Sequence, residues 1–319
     1  MTTAVAETLQ RRPDNEGVSQ GQLVWNRLRR KRLSMISLVV ILLIYGAGIF
    51  APLVAPYSYR TVDLDRPQEG PSVDHLLGTD ILGRDMLSRA IYSARTTVVI
   101  TAAVVVSGSL VLGVGLGLLA GYRGGRVDSV LMRVGDIFAG LPAIMMLILI
   151  NAALGDRVRT LSRWVDDHSF TDFVGTGAAS YLTVFGALAL FEWVGMARII
   201  RAQVLQLRER DFITAARATG ASPMRIISKH LLPNVSNLVI LAISVSLGGI
   251  AGTEIFLTWF GVGVQPPAAS FGAMLFEAGS VRTFQAHPHL LLVPSGFVVA
   301  LLFSFALLGE GLNDAVRGR

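Results

Sequence analysis

Few of the 319 residues are of a type and spacing that could do acid–base, nucleophilic or metal chemistry. There is no cysteine, which excludes disulfides, thiolate ligands and cysteine nucleophiles. The histidines are His75, His168, His230, His287 and His289, and none falls well inside a long apolar run. His287 and His289 are one residue apart, but no third ligand accompanies them, and beside Pro288 they read as loop histidines, not a metal site. No HExxH occurs, and no GxxxxGK followed by Ser or Thr, so the chain lacks a phosphate-cradling P-loop. An intramembrane serine protease needs a buried Ser–His pair, and an aspartyl type needs two facing Asp. Only Asp136 lies within an apolar run. The expectation is a chain that is no enzyme by itself and binds no cofactor of its own.

What remains are isolated carboxylates at membrane depth. Ionisable groups there mark a pathway or a pair. Glu192 is the sharpest, and Arg198, less than two turns away, is its expected partner, with a contact to cargo as the alternative. Glu254 and Glu277 lie near the outer face, where a peptide amino terminus could pass, and join Glu192 as candidates for a substrate path.

The elements that must position these groups follow from composition. The chain is 52% hydrophobic and 16% charged, with mean hydropathy +0.56, and several charge-free stretches reach the ~20 residues a helix needs to cross a bilayer. An all-α integral membrane protein with six transmembrane helices is expected, at about 34–54, 98–121, 130–154, 178–200, 232–256 and 290–310. Residues 1–32 form an N-terminal tail, of which 1–22 read as disordered; residues 33–319 form the membrane domain. DILGRDMLSRAIYSAR (80–95) could be an amphipathic helix lying at the interface. With the N-terminus inside, roughly two thirds of the 28 Lys and Arg fall on the inner side, so both termini are expected in the cytoplasm. The net charge of +6 then reflects basic membrane loops, not a nucleic-acid partner.

Gly113, Gly117 and Gly121 repeat every four residues, as do Gly248 and Gly252. Small residues at that spacing let another helix approach closely, either from this chain or from a second membrane subunit.

The loop 201–231 is polar and basic, yet carries folding signals. In a helix from Asp211 to Gly220, Phe212, Ala215, Ala216 and Thr219 share one face; Arg210, Thr214 and Arg217 take the opposite one. Gly220 is placed to end the helix, with Ala221 following it. Ser222 and Pro223 read as N-cap and first residue of a second helix that returns to the membrane at Pro233.

Ala215–Ala216, Gly220, His230, Leu232 and Pro233 resemble the cytoplasmic "EAA" loop of ATP-binding-cassette importer permeases, with Thr214 where the family has an acidic residue. HLLGTDILGRDMLSRAIYSAR (75–95), GYRGGRVDSVLMRVGDIFAGLP (121–142), WVGMARIIRAQVLQLRERDFITAARATGAS (193–222) and FGVGVQPPAASFGAML (260–275) resemble the C-type permease subunit of dipeptide/oligopeptide importers. The resemblance implies a type I importer permease fold in a bacterial inner membrane. It implies a homologous B-type permease, two P-loop ATPase subunits carrying ATP and Mg, an extracytoplasmic peptide-binding protein, and peptide cargo. Nickel, glutathione or another small solute are the alternatives. It makes the loop helix a coupling helix, with Phe212, Ala215, Ala216, Gly220 and Ala221 as docking core and Arg210, Asp211 and Arg217 as rim charges. A self-contained secondary carrier is disfavoured, because inverted repeats are not evident and the 201–231 loop would have no role.

Overall fold

A computed structural model describes residues 20–168 and 178–317. Besides the single turn Ala51–Val54, the helices among the described residues are, in order, α1 (Gln20–Arg29), α2 (Arg32–Ile49), α3 (Met86–Arg123), α4 (Gly125–Gly140), α5 (Ala143–His168), α6 (Ala178–Leu207), α7 (Asp211–Ala218), α8 (Pro223–Trp259), α9 (Phe271–Glu277), α10 (Val281–Ala286) and α11 (His289–Arg317). Five of these, α2, α3, α6, α8 and α11, are each long and apolar enough to cross a membrane. α4 and α5 together qualify as a sixth.

That sixth span departs from the single helix expected at 130–154. α4 and α5 meet at 96° across Leu141–Pro142. A residue before proline is driven out of the helical region, and Leu141 sits at φ −96°, ψ 142°. α5 then runs to His168, so the segment expected as a loop from 155 is helical to that point. Its remainder, 169–177, lies outside the described residues, as does the disorder expected for 1–19. From residue 20 the tail is helix, with Leu28 buried.

The segment 80–95 is not a separate interfacial helix. α3 begins at Met86, where the Asp85 carboxylate accepts from Ser88 N at 2.7 Å, and no proline interrupts it before Arg123. Its middle, Val105–Val114, is π-helical.

α3 packs along α6, and the glycine repeat explains how. A Cβ on Gly113 would meet Met196 Cβ at 2.6 Å, one on Gly117 the Ala197 carbonyl at 2.8 Å, and one on Gly121 Val204 at 2.7 Å. Gly248 lies against Phe305 and Gly252 against Leu302 of α11. All five therefore serve packing within the chain, and the second-subunit reading of these stripes is not needed. α2 packs on α11, where Ile41, Ala251, Leu301 and Phe305 are buried together.

One end of the bundle carries α7, α1 and the C-terminal turns of α11; call it the near end. There Lys31 pairs with Asp314 at 2.5 Å, and Arg27 donates to the Ala315 carbonyl at 3.0 Å. The far end carries the 55–85 loop, the start of α3, and α9 and α10.

Candidate functional site

α7 is the loop helix the sequence marks. Gly220 takes φ +77°, a left-handed conformation that costs an L-residue about 1–2 kcal/mol. Ser222 then caps the next helix, its Oγ accepting from Arg225 N at 3.4 Å, with Pro223 at the first position. α8 does not stop and restart at Pro233. It runs through to Trp259, with a π-helical turn at Ile227–Leu231 where the hydrogen bonding adapts to the coming proline.

α7 is anchored to the bundle through a residue that its periodicity leaves unassigned. Ile213, flanked by Arg210, Thr214 and Arg217, is fully buried, packed in one cluster with Val204, Ile226 and Leu231. Ala216 and Ala221 are partly buried against the same cluster. Arg217 lies over the Tyr122 ring, its guanidinium carbon 5.4 Å from the centroid, and so belongs to the seat of the helix. Phe212 is 41% exposed, with its ring 6.4 Å from that of His230. Ala215, Thr219, Arg210 and Asp211 are exposed as well. The helix is thus pinned through Ile213 and presents a shallow surface of Phe212 and small residues away from the bundle. Ile213 is a residue sequence reasoning missed; its only signal is an aliphatic side chain amid polar neighbours.

The three candidate path carboxylates separate clearly. Glu277 is taken up at the far end: it accepts from Arg89 Nη1 at 2.6 Å and Nη2 at 3.0 Å, and from Arg84 Nη2 at 3.2 Å. Asp80 pairs with the same two arginines, with Arg84 Nε at 2.6 Å and with Arg89 Nη1. The GTDILGRDMLSR run therefore builds a four-membered ion-pair cluster closing α3 onto α9. Beside it, His75 Nδ1 lies 3.0 Å from Asp85 Oδ1. Glu254 is wholly buried inside the chain, accepting from Thr97 Oγ1 at 3.0 Å and Thr258 Oγ1 at 3.3 Å. Both Glu254 and Glu277 are thus engaged by side chains of this chain.

Glu192 does not pair with Arg198. Arg198 Nη2 lies 2.6 Å from Asp136 Oδ1, because α4 passes beside α6 at that level. Glu192 stays partly exposed, within hydrogen-bonding reach of Ser246, at a groove of about 380 Å³ between α6 and α8. His287 and His289 face each other edge to face at 6.2 Å, and His289 Nε2 contacts the Thr79 carbonyl oxygen at 3.2 Å. Among the described residues no cluster of three metal-ligating side chains occurs.

Comparison with known proteins adds to this geometry. The family described as "Binding-protein-dependent transport system inner membrane component" matches residues 113–318, and the "N-terminal TM domain of oligopeptide transport permease C" matches 19–71. The chain is 33% identical to the oligopeptide transport system permease protein OppC of Bacillus subtilis, over 95% of this chain and 92% of the relative. It is 34% identical to the dipeptide transport system permease protein DppC of the same organism, over 94% and 86%. It is 32% identical to the glutathione transport system permease protein GsiD of Pectobacterium atrosepticum, over 92% and 89%.

Proposed function

We propose, from the premise that this chain belongs to the binding-protein-dependent transport inner membrane components, that it is the C-type permease subunit of an ATP-driven importer of di- and oligopeptides. It forms half of a translocation path with a homologous B-type permease. Two P-loop ATPase subunits supply the hydrolysis that this chain has no motif to perform. An extracytoplasmic binding protein delivers the cargo. The near end, with α1, the last turns of α11 and the 201–231 loop, lies in the cytoplasm, in keeping with the basic residues gathered there.

The observation that carries this reading is the posture of α7. A short helix fixed to the bundle by one buried isoleucine, with an exposed aromatic and small residues on its free side, is suited to seat in a cleft of another protein. Movement of that cleft would pass to α6 and α8 as rigid-body displacement, since α7 is packed against both. The glutathione permeases among the relatives show that cargo varies within this fold, and the binding protein is where that choice is expected to be made.

The test is to tag the chain, extract it gently from native membranes and identify what accompanies it by mass spectrometry. A second six-span permease, P-loop ATPases and a peptide-loaded binding protein are expected. Recovery of the chain alone, where a control complex survives, overturns the reading.

A further inference from the structure

The surfaces that could meet lipid and those that could not are distinguishable. Residues 33–54 and 290–309 contain no charged side chain. The most exposed groups of α2 and α11 there are apolar: Ile36, Leu42, Leu43, Leu292, Val299 and Phe303. The α4 and α6 side is different. Asp136 and Arg198 form an ion pair whose side chains are 67% and 46% exposed, and Glu192 stands partly exposed one and a half turns further from α7. A charged group facing hydrocarbon is costly, so these face water or protein. The bundle thus has an apolar back, α2 and α11, and a charged front, α4, α6 and the adjoining face of α8.

Glu192 is the front's unneutralised acid in the groove. The groove is otherwise lined by apolar and small groups, among them Gly195, Ile199, Leu238, Ala242 and Val245, with Ser246 as the other polar side chain. Among the described residues no cation pairs with Glu192, whereas Glu277 has two arginines and Asp136 has Arg198. Small apolar walls with one acid give a surface that slides past varied side chains yet attracts a positive charge.

We infer that the α6–α8 groove is this chain's wall of the translocation path, and that Glu192, with Ser246 in the same lining, is its contact for the cationic amino group of the cargo. This rests on the importer reading above and assigns a specificity residue to it. A peptide's terminal ammonium is the one positive group every unblocked peptide carries, which matches a single acid in a wall that reads nothing else.

The test uses the complete importer with its binding protein, reconstituted in vesicles. Uptake of one peptide is compared with uptake of its N-acetylated form, at saturating loaded binding protein, for the parent and Glu192→Gln. Losing a hydrogen-bonded charge contact should lower uptake of the free-amine peptide about tenfold and leave the acetylated peptide's rate unchanged. Equal effects on both peptides, or none, overturn the inference while leaving the importer reading in place. Failure of the parent to carry either peptide overturns the peptide reading and the amine contact with it. Because the chain has no cysteine, Glu192→Cys gives a second readout. Its thiol should react with a membrane-impermeant reagent and be protected during transport, whereas Val39→Cys on α2 should not react. An inert Cys at 192 places the groove against lipid or sealed protein and overturns the assignment.

Discussion

Arg89, one turn into α3, and Glu277, the last residue of α9, meet across 188 positions of sequence in a two-pronged ion pair, Nη1 to Oε2 at 2.6 Å and Nη2 to Oε1 at 3.0 Å. Arg89 is 4% exposed and also serves Asp80, so removing it leaves two carboxylates to Arg84 alone. Arg89→Ala should cost about 3 kcal/mol, the lower end for breaking a buried pair, because the buried Asp80 keeps only Arg84. Glu277→Gln should cost less, since Asp80 still neutralises Arg89 and the Glu277 side chain is 25% exposed. Thermal unfolding of the purified chain checks the order; equal midpoints for both variants would contradict it.

On α7, the two faces should separate genetically. Phe212→Ala and Ala215→Asp leave the Ile213 anchor untouched, so membrane insertion and folding should be normal. ATPase association should fall by about 2 kcal/mol for the aromatic, the size of an interface hot spot. Ile213→Ala should instead destabilise the near end by about 2–5 kcal/mol through a cavity. Ala216→Asp strikes both, because Ala216 is itself partly buried. Pull-down of ATPase by folded variants is the measurement, and wild-type retention by Phe212→Ala would refute the docking role.

The glycines should not respond alike. Gly117→Ala places a methyl 2.8 Å from the Ala197 carbonyl and should cost about 1–3 kcal/mol as overpacking. Gly252→Ala meets only Leu302 methyls at 3.6 Å, an ordinary contact. There the gain in helix propensity, about 0.5–1 kcal/mol, should leave stability unchanged or slightly higher. Unfolding midpoints of the two variants decide this.

Orientation is open to a direct check. Single cysteines at Thr219 and at Val73 are both exposed and lie at opposite ends of the bundle. In sealed right-side-out cells an impermeant thiol reagent should label position 73 only, and in inside-out vesicles position 219 only. The reverse pattern would invert the proposed topology.

Much of this architecture was legible in one dimension. Each of the five long apolar helices overlaps an apolar run of the sequence, and Gly220, Ser222 and Pro223 marked the turn after α7, because caps and left-handed positions are local chemistry. The bend at Leu141–Pro142 was signalled by proline but masked by the apolar run around it. The partner of Arg198 was misassigned because Asp136 is supplied by a different helix, and sequence proximity to Glu192 carries no information about α4's path. Ile213 was left unassigned because a helix wheel alone does not say which side meets the bundle. The sites of Glu254 and Glu277 depend on contacts more than 150 positions away, which no local pattern encodes.

The clasp at the near end, Lys31 on Asp314 and Arg27 on the Ala315 carbonyl, has a consequence for how the chain can be rewired. α1 and the last turns of α11 are already neighbours, so the described helices form a ring in all but one covalent link. A short tether joining them, with new ends opened in the exposed far-end loop around Val73, should yield a circular permutant with the same bundle. In such a ring, order of synthesis and order in space become independent.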